Sequence, residues 1–364
     1  MKILFDHQIF FLQKYGGISN YFFNLIKALN KKKIRNRIYA PLYINRYINE
    51  LKSKNIFGIN INLNFLKINF ILNNVFFKQY LKYYKPDIVH LTYYDNVYLA
   101  DKTKKYILTV YDMIHEEYSK NFKKDKTSIK KFKLCNEVDH IIAISKNTKK
   151  KLIKFFGIKS KKISVVYLGG NHLKKIKPLK IDIKKKFILY VGSRAGYKNF
   201  ENLIKAYYLN NKIKKDYDLV VFGGEKIRDH ELNRYKKKFS NIDNVHFIQS
   251  NDRVLKYLFM KASLFVYPSM EEGFGIPPLE AINSNCPVVC SNIPVLKEVL
   301  GNCCYYFEPN NVKNINLTIK KVLYSSHIHE KIFKSSHKIK KKFTWEKCAL
   351  KTINVYKKVL RTVN

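Results

Sequence analysis

Two carboxylates, Glu272 and Glu280, flank a Gly-Phe-Gly loop and a Pro-Pro step in the stretch Tyr267-Pro-Ser-Met-Glu-Glu-Gly-Phe-Gly-Ile-Pro-Pro-Leu-Glu-Ala281. Carboxylates so placed suit hydroxyl groups. The apolar run 262–267 reads as a buried strand. Strand, tight loop and helix N-terminus together form a place for phosphorylated ligands, because backbone N–H groups and the helix dipole converge there. Proline in the first helical turn wastes no hydrogen bond. This reading puts Glu280 on that first turn and Glu272 on the loop, facing one pocket from two sides.

A second cluster is Gly192-Ser-Arg-Ala-Gly-Tyr-Lys-Asn199, again between an apolar run and a helical stretch. Arg194 offers a two-point fork and Lys198 a point charge, a pair that suits a diphosphate. For Lys198 a solvated basic turn is an equal alternative in so lysine-rich a chain. Gly16-Gly17 would let backbone approach a ligand closely, or form a plain turn, with Ser19 as a candidate helix cap. Tyr111-Asp112-Met-Ile-His115 follows a strand and reads two ways. Asp112 and His115 serve acceptor binding or base chemistry, or Asp112 caps a turn and His115 packs. Gly223-Gly-Glu225 borders a nucleotide base or makes a turn. In Asn251-Asp-Arg253, Asp252 stands near a helix cap. The histidines lack ligand spacing, so no metal site is expected.

The elements that must position these groups alternate along the chain. Strands are expected at 2–6, 37–40, 88–91, 106–110, 140–143 and 163–166, with helices at 18–29, 76–84, 128–137 and 146–156. Residues 43–75 show no clean period, and 174–186 reads as a charged linker. The pattern then restarts, with strands at 187–191, 218–222, 245–248, 264–267, 288–291 and 305–307. Helices at 199–210, 229–238, 253–261, 278–283 and 294–300 lie between them. Such alternation argues for parallel sheets covered by helices, and two series argue for two Rossmann-like domains facing a central cleft. The boundaries fall at 1–174 and 175–344, followed by a last helix over 345–364.

Composition sharpens the glycine argument. The net charge is +43, and only eight of the 70 basic residues are Arg. Lys, Asn, Ile, Tyr and Phe share A/T-rich codons, so codon bias competes with function as the origin of that charge. Against the same bias, the 13 glycines, fewer than the roughly 25 of average usage, concentrate at the turns just named. Six cysteines, among them Cys286, Cys290, Cys303 and Cys304, fit no zinc spacing and read as buried reduced thiols of a cytosolic protein. Neither a signal peptide nor a transmembrane run is expected.

Taken in order, these residues resemble the retaining glycosyltransferases of family 4, which have the GT-B architecture. The E-x7-E pattern from Glu272 to Glu280 carries most of the likeness. Gln13-Lys-Tyr-Gly-Gly-Ile-Ser19, Ile144-Ser-Lys-Asn-Thr148, Tyr190-Val-Gly-Ser-Arg194 with Lys198-Asn199, and Phe343-Thr-Trp345 support it. The resemblance implies that Arg194 and Lys198 bind the diphosphate of a nucleotide sugar without metal or other cofactor. It implies that Glu280 takes the ribose hydroxyls. Glu272 with the amides of Gly273, Phe274 and Gly275 would hold the donor sugar, and Ile276 and Leu279 would supply further N–H groups. Gly192 would border the donor, Gly16 and Gly17 would line the cleft from the other domain, and the final helix would cross back to that domain. Glu272, Asp112, Arg194 and Lys198 are the candidate catalytic groups. Many members carry His-Asp where this chain has Tyr111-Asp112, which leaves the acceptor side open.

The implied reaction is retaining transfer of a hexose to a glycan or lipid-linked acceptor in surface polysaccharide or O-antigen synthesis. GDP-mannose is the favoured donor and UDP-sugars the alternative. With 11 acids in residues 1–175 and the run Lys31-Lys-Lys-Ile-Arg-Asn-Arg37, the first domain could lie at the inner face of an anionic membrane. A nucleic-acid binder would exploit the same charge but shows no recognition motif. A catalytically silent GT-B scaffold is the third reading.

Overall fold

The computed structural model describes residues 1–361 except 52–55, 62–65, 96–98, 100–102, 123–124, 171–178, 180, 182, 195, 225 and 240–241. The expected linker and Glu225 therefore lie wholly or largely outside the described residues. Two units emerge, Met1–Gly169 with Thr344–Asn364, and Gly170–Phe343.

The first unit holds β1 (Lys2–Phe5), β2 (Arg35–Tyr43), β3 (Ile56–Asn60), β4 (Ile88–Leu91), β5 (Lys105–Val110), β6 (His140–Ala143) and β7 (Ile163–Val165). They form one sheet in the order β3-β2-β1-β4-β5-β6-β7. The second holds β8 (Lys186–Val191), β9 (Tyr217–Phe222), β10 (Val245–Ile248), β11 (Leu264–Tyr267), β12 (Val288–Ser291) and β13 (Tyr305–Phe307), in the order β10-β9-β8-β11-β12-β13. Every neighbouring pair is parallel. Each unit thus has the doubly wound order, third strand to first and then fourth onward. Parallel neighbours need crossover helices. With helices on both faces, β4, β6, β9, β11 and β12 are buried along their whole length. That is why they read in the sequence as near-continuous apolar runs rather than as alternation.

Capping sets several helix ends. Ser145 accepts from the Thr148 amide ahead of the helix Lys146–Phe156, and Gly157 closes it in the left-handed conformation. At Asp252–Lys261 the cap is Asn251, which accepts from the Arg253 and Val254 amides, so Asp252 is the first helical residue. The helix expected at 76–84 runs over Leu66–Tyr84. Its first half showed no period because apolar side chains occupy its outward as well as its inward face. The strand β3 was hidden in the same region: it is a short edge strand with Phe57 and Ile59 exposed.

The last helix, Trp345–Arg361, belongs to the first unit and packs on the helix Gly17–Lys31. A buried polar chain fastens it. The Tyr356 hydroxyl lies 2.6 Å from Nδ1 of His90 on β4, whose Nε2 lies 2.8 Å from the Thr109 hydroxyl on β5. Burial pushes His90 down to about 3, so the imidazole is neutral. All six cysteines are buried and free. Among the described residues, no helix is long and apolar enough to cross a membrane.

Candidate functional site

In a doubly wound sheet, ligands enter where strand order reverses, because the loops leaving the two central strands turn to opposite faces and open a crevice. In the second unit that point lies between β8 and β11. Lys198 follows β8 and Glu272 follows β11. Their side chains meet there, with Lys198 Nζ 2.6 Å from Glu272 Oε1. The same oxygen accepts from the Tyr267 hydroxyl at 2.6 Å. Burial lowers the affinity of Lys198 for its proton, but Glu272, Tyr267 and Tyr197 raise it further, and the net shift is well above the ordinary lysine value. Tyr267 is buried, and desolvation followed by the charge of Glu272 pushes its pKa well up, which keeps its proton on the donating hydroxyl. Backbone bonds hold the two loops together. The Met270 amide donates to the Tyr197 carbonyl at 2.7 Å. The Asn199 side chain adds to this, its Nδ2 donating to Pro268 O at 3.0 Å and Pro309 O at 2.7 Å.

Arg194 is held elsewhere. Its Nε and Nη2 reach the two oxygens of Glu231 at 2.8 and 3.1 Å, and its guanidinium lies 5.7 Å from the Phe247 ring centroid. The hydrogen bonds from Arg194 lower the pKa of Glu231 below its usual range. Glu231 sits on the helix Asp229–Phe239 after β9, and β8 runs between β9 and β11. The two cations expected to act as a pair are therefore anchored on opposite flanks of β8. A cavity of about 590 Å³ opens on the Arg194 side, lined by Ser193, Glu231, Lys226, Arg228 and Arg234 among others. Gly224 lets the neighbouring loop close against Ser193 and Arg194. Its φ is +73°, and a Cβ there would lie 3.2 Å from Ser193 Cα. Gly192 (φ +148°) begins the loop from β8.

After β11, Gly273, Phe274 and Gly275 lead into the helix Ile276–Asn283. Gly275 caps it at φ +93°, where a Cβ would come within 2.7 Å of Leu296 Cδ2. The helix starts two residues earlier than expected, because both prolines fit its opening. Glu280 is therefore on the second turn and half-buried, not on the first. Phe274 and Leu279 are buried, Phe274 edge-on to Phe343 at 5.6 Å, so neither side chain is open to a ligand, and the earlier helix start takes the Leu279 N–H, expected as a donor to the ligand, into the helix's own hydrogen bonding.

At the corresponding point of the first unit, between β1 and β4, Asp6 is held by side chains of its own unit, and a mostly apolar cavity of about 580 Å³ opens beside it, lined by Gln8, Phe11, Tyr93, Tyr94 and Asp95 among others. Asp6 is fully buried. It accepts from the Thr92 amide at 3.0 Å, from the Thr92 hydroxyl, and from Gln8 Nε2 at 2.6 Å. Burial raises its pKa to about 7 against these bonds. Gly16 and Gly17 open the helix Gly17–Lys31. Ser19 is its third residue and not its cap; Gln13 Oε1 accepts from the Ser19 amide at 3.3 Å. A Cβ on Gly16 would strike that Gln13 side chain, whereas Gly17 has open space. Asp112 Oδ1 accepts from the Ile114 amide at 3.0 Å, and His115 lies 3.1 Å from Asp125 and against Phe122. Tyr111 points inward, its hydroxyl donating to Thr92 O at 3.0 Å.

Tyr267, Asn199 and Glu231 are the site-forming residues whose roles the sequence did not disclose. Tyr267 carried one signal, its place as the last residue of a strand whose loop returns to it. Among the described residues, no three His, Cys, Asp or Glu side chains form a metal-ligand group.

Residues 15–172 match glycosyltransferase family 4, and residues 171–342 match the glycosyl transferases group 1. The chain belongs to the family 4 glycosyltransferases. Among relatives of this family, the O-antigen chain mannosyltransferase RfbU of Salmonella typhimurium is 35% identical over 185 residues, which are 50% of each chain. The chain thus spans about half the length of that relative. The O-antigen chain mannosyltransferase B of Escherichia coli is 28% identical over 291 residues, 76% of each chain. The crystal structure of Anabaena HepE in complex with UDP and glucose aligns over 98% of this chain and 99% of its own, with a TM-score of 0.79 at 13% identity. That likeness concerns the fold, and with the two doubly wound sheets it places the chain in the GT-B class.

Proposed function

We propose that this family 4 glycosyltransferase transfers a hexose, with retention of configuration, from a nucleotide diphosphate sugar to a glycan or lipid-linked acceptor. Mannose from GDP-mannose is the favoured donor, on the strength of the two O-antigen mannosyltransferase relatives. The observation that carries the reading is the Lys198–Glu272 contact at the switch point of the second sheet. A cation that stays charged and a carboxylate that takes hydroxyls stand beside a helix N-terminus that favours phosphate.

In this proposal the amides of Gly273, Phe274 and Gly275 hold the sugar together with Glu272, and the diphosphate lies at the start of the helix Ile276–Asn283, against Lys198 and the Ile276 amide. Arg194 reaches it from the β9 side, exchanging part of its fork with Glu231 for phosphate oxygen. Glu280 faces the ribose, and Glu272 holds sugar hydroxyls through the carboxylate that Tyr267 and Lys198 orient. The C–O bond between sugar and diphosphate breaks as the acceptor oxygen attacks from the same face. The departing phosphate oxygen takes the acceptor proton. Cations and amides fixed in place stabilise the negative charge as it develops, which requires no resident metal. Asp112 remains a candidate catalytic group, and Gly16 and Gly17 candidate donor-binding groups. A thermal-shift series with GDP-, UDP- and ADP-sugars tests the donor, since a ligand that binds only the folded state raises its melting temperature. GDP-mannose should give the largest shift, and Arg194→Ala and Glu280→Ala should abolish it without unfolding. A larger shift with UDP-sugars would replace the donor, and unaltered shifts in both variants would refute the site.

A further inference from the structure

The helix Thr127–Glu137 carries one side chain on the face where it least belongs. Its buried residues are Lys131, Leu134 and Cys135, spaced three and four apart like any core-facing stripe. Ile129 and Phe132 stand on the outward side, 70% and 47% exposed. A lysine has thus taken a core position while two large apolar side chains meet solvent. Codon bias accounts for frequent lysine but not for buried lysine. Lysine is almost never fully buried unless it is paired.

The partner is Glu116, on the short helix Ile114–Glu117 after β5. Lys131 Nζ lies 2.9 Å from Glu116 Oε2, and the two side chains are 0% and 4% exposed. Among the described residues, the other Glu116 oxygen is buried without a hydrogen-bond partner. Taking two charges out of water can cost more than their attraction returns, and well-packed apolar residues in their place are often neutral or stabilising. Stability alone is therefore a poor reason for this pair. Its remaining contacts show what it holds. Lys131 Nζ also donates to the Asp112 carbonyl at 3.1 Å and stands 5.2 Å from the centroid of the Tyr94 ring, close enough for a cation–ring attraction. The Tyr94 hydroxyl accepts from the Tyr111 amide at 3.4 Å. Tyr94 and Lys131 thus grip the two consecutive residues that leave β5, one by its N–H and the other by its carbonyl. A third bond, from the Ile114 amide to Asp112 Oδ1, turns the carboxylate relative to that fixed backbone.

We propose that Lys131 is a positioning residue: backed by Glu116, it fixes the backbone at Asp112 and with it the direction of the Asp112 carboxylate. The inference rests on the proposed transferase reaction, in which Asp112 is a candidate catalytic group.

Lys131→Met alone strands the buried Glu116 charge and should lower the melting temperature whatever else the lysine does. The deciding variant is Lys131→Met/Glu116→Leu, which removes both charges and should melt at or above the wild-type temperature. Hydrogen exchange in the full chain, read by mass spectrometry over residues 111–117, should quicken about tenfold or more with the loss of the bond that held this segment. Activity is followed as GDP release from GDP-mannose with octyl α-mannoside as acceptor. The double variant should lose about tenfold or more in kcat, since a misplaced reacting group is costly, while KM for GDP-mannose stays within about twofold. Its donor-induced thermal shift should be retained. Exchange and kcat both equal to wild type would overturn the proposal and leave the pair a packing feature. Faster exchange with unaltered kcat would overturn it too, since Asp112 would then need no positioning. Absence of GDP release by the wild type would count against the proposed donor or reaction, and the exchange measurement would then decide whether Lys131 fixes this backbone.

Discussion

The two sheets share a strand order, but the crevices at their switch points hold opposite things. Between β1 and β4 a buried carboxyl, Asp6, is surrounded by donors of its own unit, Thr92 and Gln8. Between β8 and β11 a charged lysine meets a carboxylate, backed by one tyrosine. The same topology therefore places a self-satisfied carboxyl beside an apolar cavity in one unit and a charged pair in the other. Topology supplies the place, and the side chains on the two loops decide whether it is used.

Removing the cation from the second crevice should have the largest effect. Lys198→Ala is expected to lower the transfer rate by about 10²–10³-fold, the usual cost of losing one fixed group that stabilises developing charge, with an unchanged circular dichroism spectrum. A rate near wild type would put the two crevices on an equal footing and break the contrast. Tyr267→Phe should cost less, about tenfold, because it removes one of the donors that orient Glu272. Tyr267 is a positioning residue, so the loss should fall on kcat rather than KM. A lowered melting temperature with unaltered kcat would assign Tyr267 to packing.

Asp6→Asn should leave the donor-induced shift untouched and change only stability. The folded pKa of Asp6 is raised to about 7 from 3.8, so the folded state holds this proton more tightly than the unfolded state. Its contribution is fully present below about pH 4 and is lost as pH rises through 7. The variant lacks that loss. In urea unfolding, its stability relative to wild type should therefore improve between pH 5 and pH 8, by at most about 3 kcal/mol. A difference that does not vary with pH would show that the carboxyl is not held protonated in the fold.

Much of this was legible because parallel strands buried on both faces leave a strong apolar signature. All of β8 to β13 could be placed from it, as could the loops that carry Lys198 and Glu272. The helix Leu66–Tyr84 was half hidden, since its apolar outer face erased the amphipathic period that reveals a helix. Asp112 and His115 stood open between chemistry and packing. Their contacts with Ile114 N, Asp125 and Phe122 show both engaged in local structure, partners that spacing alone does not single out.

By itself the sequence determined the class of fold and the two series of strands, because these rest on local patterns: apolar runs, turn residues and prolines at a helix start. Only the tertiary structure decided that Lys198 pairs with Glu272 while Arg194 pairs with Glu231. The partners of the first pair are 74 residues apart and those of the second 37. Strand order brings each pair together, and the order in which strands join a sheet is set by the packing of the whole unit rather than by any one segment.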